Sequence, residues 1–359
     1  MAFTLSSLPP DCKILVIRLR SIGDVVLNTP VLENLKRNLP RCRLSVLVES
    51  PCDAVLKGNP FVDDRIVRER KGSFKKNTLK SIWEEISFFL ELRRRRFDLV
   101  LDFHGGPRAA NTAFLSGATW KMGHKNSPRA WAYNLRVKTP YDGQRVHTVK
   151  EQLSKLTALG MKIEETSPQI WIDKEERTEI RQWLAKEGIT RDEPFAVVHP
   201  GIVKIHQRWR PEKMAKVADH IQERLALRVV FASAGEQISQ VEEITALMKT
   251  KIISLAGKTD LRQLIALLGE ARFLVCHNGG QMHLAAAVGT PVLALFGPST
   301  PDLFAPVGEN HRVFYKRLPC SPCAPRPKYE SCFQGLPECT EKITAEEVME
   351  AVEELLKGG

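Results

Sequence analysis

The sequence predicts an α/β protein of two Rossmann-like domains that face each other across a cleft. Short runs of leucine and β-branched residues alternate with stretches of helical periodicity, which is typical of parallel strands joined by helices. The chain has 359 residues, enough for two domains of ordinary size. A second apolar strand that ends in a glycine turn, at residues 194–201, marks the start of a second sheet.

The first domain is predicted from successive βαβ units. Apolar residues at helical spacing, among them Val25, Val26 and Leu32, define the helix after the first strand. A later helix is built on apolar residues between Ile82 and Leu90 and ends in four arginines, which compensate the helix dipole as readily as they bind a polyanion. The predicted elements are a strand at 13–18, a helix at 25–38, a strand at 44–49, a helix at about 79–96 and a strand at 98–103.

The second domain repeats this alternation. Its predicted strands are at 194–201, 227–232, 252–255, 273–276 and 292–296, with helices at about 211–225, 238–250, 261–269 and 282–288. We place the domains at 1–175 and 176–359, joined near 165–190. For the last helix, packing back on the first domain is an alternative to packing on its own domain. Because open α/β sheets bind ligands beyond the carboxyl ends of their strands, the cleft is the expected active site.

Composition excludes several classes of protein. With 43% hydrophobic and 26% charged residues, the chain is neither disordered, collagen-like nor a small disulfide scaffold. Lys and Arg number 53 against 42 Asp and Glu, a net charge of +11. Such a surplus predicts a polyanionic partner, which charge alone leaves open among nucleic acid, a phosphorylated metabolite and an anionic membrane surface.

The lack of targeting signals predicts a cytoplasmic protein, whose thiols should be mostly reduced. The chain has no uninterrupted apolar stretch of about 20 residues, and its start lacks the basic and apolar regions of a signal peptide. Four of the eight cysteines, Cys320, Cys323, Cys332 and Cys339, have the irregular spacing C-x2-C-x8-C-x6-C. Reduced, partly buried thiols are favoured over a structural zinc or iron–sulfur site, and no metal is expected.

The first candidate segment is Arg18–Asp24. The chain leaves a strand, turns at Gly23 and begins a helix, with Asp24 at the helix N-terminus. A carboxylate there is either an N-cap or a general base that faces the cleft. His104 lies in a similar place, at the end of the strand at 98–103, and one interpretation is that it contacts an acceptor.

Two further segments lie in the second domain. The loop at 199–211 has three cations, Lys204, Arg208 and Arg210, and leads into a helix, an arrangement that suits a diphosphate but is also common on surfaces. Residues 276–287 form a strand that ends in a Gly-Gly turn and continues into an alanine-rich helix. His283 is in the first turn of that helix, either as a structural histidine or as a donor to phosphate oxygens.

These segments, taken in order and spacing, resemble the ADP-heptose:lipopolysaccharide heptosyltransferases, inverting glycosyltransferases of the two-domain glycosyltransferase-B fold. The likeness covers nearly the whole chain and ends with CSPC at 320–323. It includes ILVIRLRSIGDVVLNTPVLENLK at 14–36, DLVLDFHG at 98–105, HPGIVKIHQRW at 199–209 and LAGKTDLRQLIALLGEARFLVCHNGGQMHLAAAVGTPVLALFGPSTP at 255–301.

The resemblance implies roles for particular residues. Asp24 matches the family's proposed catalytic base, whereas Gln207 replaces its diphosphate-binding lysine and Asn278 replaces an aspartate that holds the donor sugar. The implied donor-binding residues are Lys204, Arg208, Glu236, Asn278, Gly279, Gly280, Met282 and His283. For the acceptor we expect Arg18, Ser21, Gly23 and His104.

The implied reaction is a single displacement with inversion, in which Asp24 deprotonates an acceptor hydroxyl and ADP departs. Cations and helix dipoles would stabilise the diphosphate, so no cofactor or metal is expected. The implied partners are ADP-heptose or a similar nucleotide sugar, the lipopolysaccharide inner-core acceptor, and the anionic inner membrane as a peripheral contact. A weakened homologue that binds nucleotide sugar without transfer, or a transferase of a different nucleotide sugar, remains as an alternative. No nucleic-acid partner is expected, because no recognisable nucleic-acid module is present.

Overall fold

The computed structural model describes residues 3–69, 79–141, 143–190, 193–202, 207–323, 332, 335 and 337–357, without the side chains of 79–81. The chain divides into two compact units, Met1–Gln169 and Ile170–Gly359. Within the described ranges, no helix is both long and apolar enough to span a bilayer.

The first unit is a parallel sheet with helices on its faces. Its strands are β1 (Lys13–Ile17), β2 (Arg43–Glu49), β3 (Asp64–Arg68), β4 (Leu99–Asp102), β5 (Trp120–His124) and β6 (Leu135–Val137). Its helices are α1 (Ile22–Val26), α2 (Thr29–Asn38), α3 (Leu79–Arg94), α4 (Pro107–Leu115) and α5 (Thr148–Thr157), with 3₁₀ turns at Leu5–Ser7, Cys52–Leu56 and Ala130–Ala132. In the described part of this unit the strand order is β3-β2-β1-β4-β5-β6. On one face, Leu92 of α3 and Ala109 and Ala113 of α4 share a core with Leu15 and Val100.

The second unit repeats this architecture. Its strands are β7 (Phe195–His199), β8 (Arg228–Phe231), β9 (Ile253–Ser254), β10 (Phe273–His277), β11 (Val292–Phe296) and β12 (Arg312–Tyr315). Its helices are α6 (Lys174–Lys186), α7 (Pro211–Leu225), α8 (Ile238–Leu247), α9 (Leu261–Glu270), α10 (Gly280–Ala287), α11 (Pro301–Phe304), α12 (Glu338–Glu341) and α13 (Ala345–Lys357), with a 3₁₀ turn at Gly235–Gln237. The strand order, again for the described residues, is β12-β11-β10-β7-β8-β9.

Both sheets therefore have the doubly wound order in which the strand order reverses beside the first strand of the unit. That reversal lies between β1 and β4 in the first unit and between β7 and β10 in the second. Ligands of such sheets bind beyond the carboxyl ends of the strands at this switch point. The segments after these four strands, 18–24, 103–106, 200–210 and 278–283, include most of the residues that the sequence singled out. The α/β fold with two Rossmann-like units is confirmed.

The expected single helix at 25–38 is wrong, because the structure has two short helices with a break at Leu27–Asn28. Pro30 causes the break. It has no N–H to donate to the carbonyl of Val26 four residues earlier, and the hydroxyl of Thr29 donates to that carbonyl instead, at 2.8 Å.

The two units meet in sequence at 169/170, earlier than the expected 175/176. The backbone N–H of Ile170 donates to Ala287 at 3.1 Å, and the carbonyl of Trp171 accepts from Arg262 at 2.8 Å. These bonds attach the segment to the second unit before α6 begins. The last helix, α13, packs on α7 of its own unit, where Nε2 of His220 lies 2.9 Å from Oε1 of Glu353.

Several elements have no clear signal in the sequence, among them β5. Its sequence, WKMGH, lacks both the alternation and the β-branched residues of a typical strand. Its glycine is required by packing, because a Cβ on Gly123 would lie 2.4 Å from the ring of Tyr133. Such a strand depends on contacts between distant residues.

Candidate functional site

The first switch point includes the turn between β1 and α1. The strand is buried from Ile14 onward, and the helix begins at Ile22 with Ser21 as its N-cap. Gly23 is buried within the first turn of α1, not in the loop before the helix as the sequence suggested. Asp24 is therefore the third residue of the helix, close to the positive end of its dipole.

Three donors hold the carboxylate of Asp24. Its Oδ1 lies 2.5 Å from Nη2 of Arg18, and its Oδ2 accepts from the N–H of Ser21 at 3.2 Å and from the hydroxyl of Ser21 at 3.1 Å. The side chain is still 33% exposed. A carboxylate oxygen accepts about two hydrogen bonds, so among the described contacts Oδ1 has room for one more donor. The cap and the base interpretations are thus compatible.

Arg18 joins the ends of β1 and β4. Its guanidinium is mostly buried, pairs with Asp24 through Nη2 and donates from Nη1 to the carbonyl of Phe103. His104 follows, and burial together with the nearby cations Arg18 and Arg20 lowers its pKa. The imidazole is therefore neutral near pH 7 and able to accept a hydrogen bond.

A buried aspartate that the sequence analysis missed fixes the turn at His104. Oδ1 of Asp102 accepts from the N–H groups of His104 and Gly105, each at 2.8 Å, and Oδ2 accepts from the hydroxyl of Tyr133 at 2.5 Å. Burial and the charge of Asp102 raise the pKa of Tyr133. The available signal was an acidic residue at the end of an otherwise apolar strand.

In the second unit, two histidines lie at the ends of adjacent strands, His199 on β7 and His277 on β10. Nε2 of His277 accepts from the backbone N–H of Trp209 at 2.8 Å. Burial, His199 and Arg208 lower the pKa of His277 to about 3, and burial lowers the pKa of His199 to about 4. Both rings are therefore neutral, and Nδ1 of His199 is buried without a hydrogen-bond partner in the described part of the chain.

The basic loop after β7 is only partly described, and Lys204 lies outside the described residues. Arg208 is mostly buried and pairs with Glu243 of α8 at 2.6 Å. Arg210 pairs with Glu341, also at 2.6 Å. Two of the three cations expected to face a diphosphate thus have carboxylate partners.

The Gly-Gly turn after β10 forms the N-terminus of α10. Gly279 is the N-cap in an extended conformation, and Gly280 is the first helical residue. The amide nitrogen of Asn278 donates to the hydroxyl of Ser299, which follows β11. The unpaired N–H groups of a first helical turn attract anions, and a Cβ on Gly279 would lie 2.6 Å from the side chain of Gln281.

The remaining expected donor residues differ in exposure. Met282 is completely buried, so its side chain fills the interior of the unit and does not present a surface to a ligand. His283 is also buried, whereas Glu236 is exposed on the 3₁₀ turn after β8. Strand β8 neighbours β7, so Glu236 follows the strand beside the switch point.

None of the eight cysteines, all of which lie in the described residues, forms a disulfide bond. Cys339 is buried, and its pKa is raised to about 11 by burial, with smaller contributions from Cys323, Cys332 and Cys320. In the ranges that the structure describes, no three His, Cys, Asp or Glu side chains are arranged to share a metal ion.

Comparison with known families adds one match. The model of glycosyltransferase family 9, described as heptosyltransferase, matches residues 86–334 of this chain. The matched range includes the end of β4, the basic loop after β7 and the Gly-Gly turn after β10.

Similar proteins cover the chain almost completely. Lipopolysaccharide heptosyltransferase 3 of Escherichia coli K12 is 29% identical over 350 residues, which are 94% of this chain and 96% of that protein. A glycosyl transferase family 9 structure from Veillonella parvula has a TM-score of 0.83 at 25% identity and covers 97% and 98% of the two chains. The structure of E. coli ADP-heptose LPS heptosyltransferase II has a TM-score of 0.79 at 22% identity over 96% and 99%.

Proposed function

Since the chain belongs to glycosyltransferase family 9, the heptosyltransferases, we propose that it transfers a heptose from ADP-heptose to the inner core of lipopolysaccharide with inversion. The chain is a glycosyltransferase, and its family acts in the synthesis of the lipopolysaccharide core. The donor sugar, the stereochemistry and the residues that perform the reaction are the proposed part.

The observation that carries the proposal is the position of Asp24. A partly exposed carboxylate lies at the carboxyl end of β1, and Arg18 and Ser21 fix its orientation. A general base must be held within hydrogen-bond reach of the proton that it removes. We assign this role to Oδ1, because the two bonds from Ser21 both occupy Oδ2.

The proposed step is a single displacement. Oδ1 of Asp24 takes the proton of an acceptor hydroxyl, and the hydroxyl oxygen forms a bond to the anomeric carbon of the heptose. The bond from that carbon to the diphosphate breaks, and its electron pair leaves with ADP. Attack opposite the departing group inverts the anomeric configuration. Arg18 would stabilise the carboxylate before proton transfer, and neutral His104 would accept a hydrogen bond from a second acceptor hydroxyl.

The donor is proposed to bind at the second switch point. The N-terminus of α10, at Gly279 and Gly280, suits the diphosphate. Because Arg208 is engaged by Glu243, we assign Lys204 as the cation that compensates for Gln207. Asn278 would hold a sugar hydroxyl, and Glu236 the ribose. The growing negative charge on the leaving group would be stabilised by backbone N–H groups and this cation, without a metal.

The proposed location is the cytoplasm, at the inner face of the membrane that contains the acceptor. Mass spectrometry of core lipopolysaccharide from cells with and without the protein tests the function directly. Loss of one heptose supports it. An unchanged core, or loss of a different sugar, contradicts it. NMR of the purified product would determine the anomeric configuration, and retained configuration would contradict the single displacement.

A further inference from the structure

Helix α3 has an apolar face directed at solvent. Its exposed residues are Trp83 at 66%, Leu90 at 51%, Ile82 at 50% and Ile86 at 42%. Spacings of three, four and seven residues place these side chains on one side of the helix. A stripe of this kind on a water-soluble helix usually faces a core, and here it faces outward.

The opposite side of α3 faces the unit's own core. Leu92 is buried, and Phe88 packs against the same apolar cluster. Arg68 of β3 lies 4.2 Å from the centre of the Phe88 ring and pairs with Glu85. Since α3 is fixed on this side, the exposed stripe cannot turn inward, and among the described residues it is not part of the apolar core.

The neighbouring helix adds to the apolar surface. Helix α4 packs on α3 and on the turn at Ala130–Ala132. Its residue Phe114 is 51% exposed and stacks edge-on against Trp131 of that turn, which is 56% exposed, with ring centres 5.2 Å apart. Of the eleven exposed large apolar side chains in the described ranges, eight belong to the first unit.

Positive charge accompanies this surface. Arg93, Arg94 and Arg96 are exposed at the carboxyl end of α3, and no carboxylate of the described residues pairs with them. Arg93 lies three residues after Leu90 and extends the stripe. The positive charge of the whole chain is also concentrated in the first unit. Residues 1–169 have 29 Lys and Arg against 17 Asp and Glu, a net +12, whereas residues 170–359 have 24 against 25, a net −1.

We propose that the exposed face of α3 docks the protein on an anionic phospholipid bilayer. Trp, Ile and Leu on one face with arginines at the helix end are the composition of helices that lie in the membrane interface. Exposed arginines without acidic partners complement the negative surface of such a membrane, which a neutral apolar partner would not require. The inference rests on the proposed function in one respect, because the lipopolysaccharide acceptor proposed there is itself a lipid and lies in the membrane surface.

Vesicle sedimentation with the purified full-length protein tests the proposal. Wild type should bind vesicles rich in phosphatidylglycerol, bind phosphatidylcholine vesicles much less, and lose affinity as salt increases. The double variant Arg93→Gln/Arg94→Gln should bind about 30-fold more weakly, which corresponds to about 1 kcal/mol for each charge. Trp83→Ser/Ile86→Ser should lose about tenfold or more. Both pairs are exposed, so the variants should fold normally.

Matched controls come from the second unit. Ile238→Ser/Leu247→Ser removes two exposed apolar residues, and Arg272→Gln/Arg312→Gln removes two exposed arginines. Both should bind vesicles within about twofold of wild type. Equal losses in control and α3 variants would overturn the proposal. Variants of α3 that bind vesicles as well as wild type would also overturn it. If those variants changed only self-association, the stripe would be an interface between copies of the chain.

A transfer assay with a soluble, deacylated acceptor separates the inference from the proposed function. The α3 variants should retain wild-type transfer to this acceptor. If they retain transfer and also retain vesicle binding, the docking proposal fails alone. If wild type binds vesicles as expected but transfers no heptose, the proposed function fails alone.

Discussion

Replacing Asp24 with asparagine separates the chemical role of the carboxylate from its structural role. The amide keeps an oxygen that can accept from Ser21, so the start of α1 should be preserved. It cannot take a proton at neutral pH, and it removes the charge that faces Arg18 at 2.5 Å. The variant therefore tests the base directly, with a predictable cost in stability.

Two effects of Asp24→Asn have an expected size, one on the rate of transfer and one on the free energy of unfolding. Loss of a general base should lower the rate of transfer by about 10²–10⁴. The guanidinium of Arg18 is only 10% exposed and keeps its bond to Phe103, so loss of its charged partner should lower the free energy of unfolding by about 1–3 kcal/mol. ADP affinity should not change, because every proposed donor residue belongs to the second unit.

The assay is turnover of ADP-heptose well below the melting temperature, with ADP affinity measured by calorimetry and stability by thermal unfolding. Asp260→Asn is the matched control, since Asp260 closes a capping box on α9 in the second unit. The control should lose some stability and keep its rate. Near-wild-type turnover in Asp24→Asn would refute the base assignment and leave Asp24 as a structural cap.

Three other perturbations address the second unit. Lys204→Ala should weaken ADP binding by about 1.5–3 kcal/mol, whereas Gln207→Ala should change it little; equal losses in calorimetry would contradict the assignment of Lys204. Asn278→Asp should keep its contact with Ser299, because the hydroxyl of Ser299 can donate to a carboxylate. In transfer assays the variant should change the ranking of ADP- and UDP-sugars more than it changes the affinity for ADP, and an unchanged ranking would contradict a sugar contact. The pKa of His199 is lowered to about 4, so the contribution of its neutral ring to stability should be complete above pH 6.5 and should decrease as the pH falls toward 4. Between about pH 7.5 and about pH 5, the free energy of unfolding in urea should change less for His199→Asn than for wild type, and an equal change would contradict the role of His199.

The strong local patterns in the sequence were sufficient for much of the fold. The predicted bounds of α7 and β11 coincide with the structure, because α7 has a regular apolar stripe after Pro211 and β11 is a short, wholly apolar run. Strands such as β5 escaped prediction, since Gly123 and its neighbours become a strand only when Tyr133 and the adjacent strand cover them.

The sequence also located the candidate site residues along the chain, because glycine turns after apolar strands mark the carboxyl edge of a parallel sheet. It could not identify their partners. That Arg208 pairs with Glu243, and Asn278 with Ser299, depends on segments more than twenty residues away. The contact of Tyr133 with Asp102, whose carboxylate holds the turn at His104, is of the same kind.

By itself, the sequence determined the alternation of strands and helices, the two-unit organisation, the excess of positive charge and the motifs of the family. Each of these depends on spacing or composition along a short length of chain. Only the tertiary structure decided which charges are already paired, which histidines are neutral and which side of α3 faces solvent. Those properties depend on burial and on the distance between atoms remote in sequence, because desolvation and neighbouring charges set the energy of an ionisable group, and packing sets the exposure of an apolar one.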